Sequence, residues 1–164
     1  MFTSILIANR GEIAARIAST ARVMGIQSVA VFSQHDRDAL HVEACDLALE
    51  IDDYLNGSAI IEAALTSGAE AIHPGYGFLS ENAAFSVAVE KAGLTFIGPP
   101  VAAIDSMGSK VRARRIMEAA GVAVVPGYHG SKQDFTSLNT AAKKISYPVM
   151  LKASAGGGGR GIRM

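Results

Sequence analysis

The sequence predicts an α/β fold built on a parallel sheet, and three observations carry that prediction. Short apolar runs recur without the polar alternation of a half-exposed strand. Helical patterns separate them, so strand and helix alternate. Turn-forming and polar residues gather just after each run, where the carboxyl ends of parallel strands leave their loops.

The elements follow in order. "ILIA" (5–8), "SVAVF" (28–32), "LALEI" (47–51), "EAIHP" (70–74) and "LTFIG" (94–98) read as strands covered on both faces. Ile13, Ile17 and Ala21 recur every fourth residue and predict a helix after the first strand. Ile60, Ala64 and Leu65 predict another, and "SENAAFSVAVEKAG" reads as a helix capped by Ser80 and ended by Gly93. Right-handed crossovers would then collect ligands over the loops "NRGE", "SQHDRD", "HPGYGFLSEN" and "GPP". A second, smaller unit is expected after "GPP". Residues 101–121 read as one or two helices broken near Gly108, "VAVVPG" as a strand, "DFTSLNTAAKKI" as a helix and "PVMLKA" as a strand. The glycine run and "GIRM" that follow read as a hairpin, which needs further strands for stability.

Composition bounds the class. The chain has 164 residues, 49% hydrophobic and 18% charged, enough to bury a core and form one domain with part of a second. Fifteen basic residues balance fifteen acidic ones, so no overall field attracts nucleic acid or an anionic membrane. The single Cys45 cannot form an internal disulfide, and the opening residues lack a signal or transit pattern, so a cytoplasmic setting is expected. No stretch approaches the roughly 20 apolar residues of a membrane span.

Several chemistries lack their motifs. There is no G-x-x-x-x-G-K-[ST], no G-x-G-x-x-G after the first strand and no G-x-S-x-G. His35, His41, His73 and His129 share no metal-ligand spacing, so no metal site is assigned.

The positive features each admit two readings. Lys152 stands near the carboxyl end of an apolar run, where an ammonium either snorkels to water or meets an anion. The "ASAGGGGRG" that follows is either a flexible linker or a loop whose amides wrap a phosphate. Lys110 in "MGSK" opens the basic run "KVRARR", a wet helix face or a second phosphate contact. "HPGYG" is a turn that caps the sheet or a ligand-bearing loop, with Tyr76 at its centre. In "IANRGEIAARI", Gly11 and Glu12 open a helix directly after strand one. Its N-terminus either holds an anion or packs plainly on the strand.

Taken in order, "IANRGEIAARI", "DRDALHV", "AIHPGYGFLSEN", "FIGPP", "MGSK" and "YPVMLKASAGGGGRGIRM" closely resemble the amino-terminal part of a biotin carboxylase, the ATP-grasp component of biotin-dependent carboxylases. The resemblance covers essentially the whole chain. "AAGVAVVPGYHG" (119–130) looks most like the α subunit of an acyl-CoA carboxylase of the methylcrotonyl-CoA type, with propionyl-CoA and geranyl-CoA types near.

The resemblance implies that residues 1–110 form a Rossmann-like pre-ATP-grasp domain and that 111–164 begin an ATP-grasp domain. It implies ATP and Mg2+ as cofactors, with phosphorylated bicarbonate delivering its carboxyl group to biotin on a carrier domain. A carboxyltransferase β subunit and a homodimer or larger complex are the implied partners. Lys110 and Lys152 would contact the ATP phosphates, and Gly156, Gly157, Gly158, Gly159, Arg160 and Gly161 would close over them. Tyr76 would border the biotin and bicarbonate end. Phosphoryl transfer needs cations around the developing charge, which these groups supply.

Two departures stand out. Between Ile51 and Tyr54 the family usually carries a longer Gly/Pro loop, here only Asp52-Asp53. The family's adenine segment, magnesium carboxylates, bicarbonate arginine and glutamate base fall beyond Met164, so no catalytic residue and no metal ligand is assigned within these residues. The alternatives are another ATP-grasp ligase and a non-catalytic dimerisation or binding module.

Overall fold

In the computed structural model, which describes residues 1–152 and 161–164, the chain divides into two compact units, Met1–Asp105 and Ser106–Met164.

The first unit carries β1 (Ser4–Ile7), α1 (Gly11–Val23), β2 (Gln27–Phe32), α2 (Leu40–Ala44), β3 (Leu47–Glu50), α3 (Gly57–Ser67), β4 (Ala71–His73), α4 (Ala83–Lys91) and β5 (Thr95–Phe96). Its strands pair in parallel in the order β3-β2-β1-β4-β5. All five expected strands are present. The doubled burial is visible along β1. Leu6 enters one core with Val31, Ile60, Ile72, Phe85 and Val89, from β2, β4, α3 and α4. Its neighbours Ile5 and Ile7 enter the other core, with Ala14, Ala18 and Ala21 of α1. An apolar run with no polar alternation is therefore what this strand requires. The edge strand β3 is only half-buried.

Strand order reverses at β1. The chain leaves β1 toward β2 on one side, and β4 returns on the other, with Ile7 opposite His73. Such a switch point opens a crevice beyond the carboxyl ends of the two strands.

The helices differ from expectation in detail. The fully buried stripe of α1 is Ala14, Ala18 and Ala21, with Ile13 and Ile17 at its margin, because the small side chains let the helix lie close on the sheet. Asn82, not Ser80, caps α4, its side-chain oxygen accepting from the Phe85 amide at 3.0 Å. Ser80 lies two residues early, and its amide closes a turn on Gly77. A side-chain acceptor must reach the amide of the second or third helical residue, which selects Asn82.

Past β5 come α5 (Val101–Met107), then α6 (Lys110–Ala119) and α7 (Phe135–Ile145) of the second unit. The break between α5 and α6 falls at Gly108 and Ser109, as expected, and Ser109 caps α6. Asp134 caps α7, accepting from the Ser137 amide at 2.9 Å. "VAVVPG" is not a strand: residues 122–127 belong to no element, and Val125 is 81% exposed. Of "PVMLKA", the described residues 148–152 pair through Leu151 alone, which forms one antiparallel bridge with Arg163. A strand needs a neighbour to satisfy its amides and carbonyls, and the described residues of this unit supply one rung. Among the described residues, no helix is long and apolar enough to cross a membrane.

Candidate functional site at the β1–β4 switch point

The site is built from the loops that follow β1 and β4. As β1 ends, the Ala8 amide still donates to the His73 carbonyl of β4, at 2.9 Å. Asn9 is the next residue and is fully buried. Its side-chain amide donates to the Pro74 carbonyl at 2.8 Å and to the Tyr76 carbonyl at 2.9 Å. Its Oδ1 accepts from the Arg10 amide at 2.9 Å. A buried primary amide is costly unless its donors are used, and here both are.

Gly75, between the two gripped carbonyls, has φ +65°, and a Cβ there would stand 2.7 Å from Asn9 Nδ2 and 2.8 Å from Ile13 Cγ2. The glycine is thus required twice, for its conformation and for the close approach. Its amide donates to His73 Nδ1 at 3.0 Å, which leaves the ring proton on Nε2. Burial pushes the His73 pKa down, keeping that imidazole neutral.

Tyr76 is 60% exposed. Its hydroxyl donates to Glu12 Oε1 in the first turn of α1. The carboxylate partner raises the phenol pKa, since ionisation would set two negative charges together. His73, Gly75 and Tyr76 line a cavity of about 520 Å³ whose other wall includes Ile13, Arg16 and Ile17 of α1.

A second cluster stands beside the first. Arg10 donates from Nε to Asp36 Oδ2 at 2.6 Å and from Nη2 to Oδ1 at 2.5 Å. Tyr54 donates to the same carboxylate at 2.8 Å, and the guanidinium lies 5.8 Å from the Tyr54 ring centre. The Arg10 hydrogen bonds are the main reason the Asp36 pKa falls to about 2. Tyr54 in turn stacks on Phe78 of the β4 loop, centroids 5.5 Å apart, and Phe78 holds φ +41°. The two-residue connection before Tyr54 is closed locally: Asp53 accepts from the Leu55 amide and Asp52 from the Asn56 side chain.

Tyr76 therefore stands at the switch point, whereas the other expected residues belong to the second unit. Lys110 is exposed as the first residue of α6. Lys152 is exposed beside the Leu151–Arg163 bridge, and Gly161, φ +75°, stands two residues before Arg163. Gly156 to Gly159 and Arg160 lie outside the described residues. Sequence reasoning overlooked Asn9, Arg10, Asp36 and Tyr54. The signal for the first two was present in "ANRGE", where a single glycine leaves polar side chains to do the binding. Asp36 lies in the expected ligand-side loop "SQHDRD" without being singled out there, and Tyr54 carries no local signal.

The fold and site define an α/β protein with a parallel, Rossmann-like sheet and a crevice at its switch point. Residues 1–104 match the family described as biotin carboxylase, N-terminal domain, and residues 109–164 match the carbamoyl-phosphate synthase L chain, ATP binding domain. The chain belongs to the biotin carboxylase family. It is 57% identical over 166 residues to the mitochondrial methylcrotonoyl-CoA carboxylase subunit alpha of Glycine max, covering 98% of this chain and 23% of that relative. It is 50% identical over 169 residues to the 2-oxoglutarate carboxylase small subunit of Hydrogenobacter thermophilus, covering 100% of this chain and 36% of that one. The biotin carboxylase domain dimer of the latter enzyme, solved with MgADP, ADP and bicarbonate, superposes with a TM-score of 0.91 at 50% identity, covering 99% of this chain and 37% of that one. Campylobacter jejuni biotin carboxylase, in its β-γ-ATP complex, gives 0.92 at 47% identity, covering 99% and 38%. The chain thus spans between about a quarter and two-fifths of these relatives' own length.

Proposed function

We propose that the complete protein is an ATP-dependent ligase that carboxylates biotin on a carrier domain using bicarbonate, as the α subunit of an acyl-CoA carboxylase of the methylcrotonyl-CoA type. The 57% identity to such a subunit, running through both matched domains, carries this reading. In it, residues 1–110 are the pre-ATP-grasp domain and 111–164 open the ATP-grasp domain.

The residues suit their roles. Lys110 and Lys152 are exposed ammonium groups that would hold ATP phosphates, and the loop from Gly156 to Gly161 would close over them. Mg2+ would neutralise phosphate charge, and biotin, when presented, supplies the nitrogen that takes the carboxyl group. Tyr76, exposed and anchored at the switch point, borders the biotin and bicarbonate end. The partners are a biotin carrier domain, a carboxyltransferase β subunit and a second copy of the chain. A reducing, cytoplasmic compartment leaves Cys45 as the free thiol it is in the fold.

The test is ADP release by the complete protein from ATP with bicarbonate and free biotin. Release that depends on both supports the assignment. Release that is indifferent to biotin sinks it and favours another ATP-grasp ligase, a class to which the match of residues 109–164 also points.

A further inference from the structure

We propose that Asn9 and Glu12, on the turn between β1 and α1, are positioning residues that hold Tyr76 in the orientation in which it meets biotin; this rests on the placement of Tyr76 proposed above.

"ANRGE" follows the first strand of a Rossmann-like sheet but has one glycine, where a pyrophosphate-binding turn needs several. A glutamate in the first turn further disfavours an anion there. The geometry assigns the turn a different task. Asn9 spans Gly75 like a staple, donating to the carbonyls on either side of it. Glu12, three residues on, accepts from the hydroxyl at the far end of the Tyr76 side chain. The loop is therefore held at its backbone by a buried group and at its aromatic tip by an exposed one.

These contacts divide the work. The two Asn9 bonds fix where the Tyr76 backbone lies. With that point fixed, the ring keeps two free torsions, and the Glu12 hydrogen bond restricts both. Gly75 is the residue that lets Asn9 approach, since a Cβ would occupy the space of its amide nitrogen. A ring ordered before its ligand arrives loses less freedom on binding, and that difference is expressed in affinity.

The experiment uses the complete protein, four single variants and one double variant. Asn9→Asp replaces the two-fold donor by a carboxylate facing two carbonyls. Glu12→Ala removes an exposed acceptor without touching the core, so it reports even where Asn9→Asp folds poorly. Tyr76→Phe removes the hydroxyl alone. Amide exchange by mass spectrometry should speed up about tenfold or more in the peptide covering residues 74–78 of Asn9→Asp, with β1 and β2 unchanged. The KM for free biotin should rise about threefold to tenfold in Glu12→Ala, with the KM for ATP unchanged. Combining Glu12→Ala with Tyr76→Phe should give no further rise beyond either alone, because both delete one bond. Additive effects, or unaltered exchange and biotin KM, overturn the positioning role. Tyr76→Ala separates the two ideas: an unchanged biotin KM there overturns the site itself, whereas a raised one with silent Glu12→Ala and Asn9→Asp overturns only the positioning.

Discussion

Arg10 and Asp36 form a two-pronged ion pair, with bonds of 2.6 and 2.5 Å, that ties the turn after β1 to the loop after β2. Asp36 is 8% exposed, and Arg10 shields it while also facing the Tyr54 ring. Through Tyr54, which donates to Asp36 and stacks on Phe78, the pair is also joined to the loop after β4.

The pair makes stability depend on pH. The folded Asp36 pKa is about 2 against an ordinary 3.8, so the unfolded chain binds the proton more readily. The contribution, about 2 kcal/mol, is fully present above pH ~4 and is lost as pH falls through the folded value near 2. Asp36→Asn should therefore destabilise the complete protein by about that amount at neutral pH, read by denaturant titration. The gap between wild type and variant should narrow as the pH drops below ~3. A gap constant with pH contradicts the assignment.

Tyr54→Phe tests the third partner of that carboxylate. It removes a hydroxyl that donates to Asp36 at 2.8 Å and accepts from the Ser33 amide at 3.3 Å, while keeping the ring on Phe78. A loss of about 1 kcal/mol is expected, together with a higher Asp36 pKa, seen as acid unfolding that begins at higher pH.

Gly75 and Gly77 share positive φ values of +65° and +69°, but only Gly75 has neighbours where a Cβ would go. Gly77→Ala should cost about 1 kcal/mol, the conformational penalty alone. Gly75→Ala should cost about 2–4 kcal/mol, because the methyl group must also displace Asn9 and Ile13. Paired thermal melts of the two variants isolate the steric part, and equal losses would show that Asn9 can yield.

Lys110→Ala and Lys152→Ala address the nucleotide end. Each should weaken MgATP binding to the complete protein about tenfold to hundredfold, the loss of one charge-assisted contact to a phosphate. Titration calorimetry with a non-hydrolysable ATP analogue measures it, and unchanged affinity for both variants removes them from the phosphate site.

Local pattern was enough for the sheet. "ILIA" and "SVAVF" are strands because residues buried on two faces leave no room for polar alternation, and that constraint is written in each run. The same logic failed for "VAVVPG", whose β-branched residues have no neighbouring strand among the described residues. Propensity proposes a strand, but a partner must accept its hydrogen bonds.

The sequence by itself determined the α/β class, the strands in their order and the HPGYG loop that carries Tyr76, because these depend on periodicity and turn chemistry over a few neighbouring residues. Only the tertiary structure decided what Asn9 does, since its acceptors at Pro74 and Tyr76 are 65 and 67 residues away along the chain. It likewise decided that Tyr54 meets Asp36 and that Glu12 meets Tyr76. Contacts between loops are set by how parallel strands pair at the switch point, and that pairing is a property of the whole sheet.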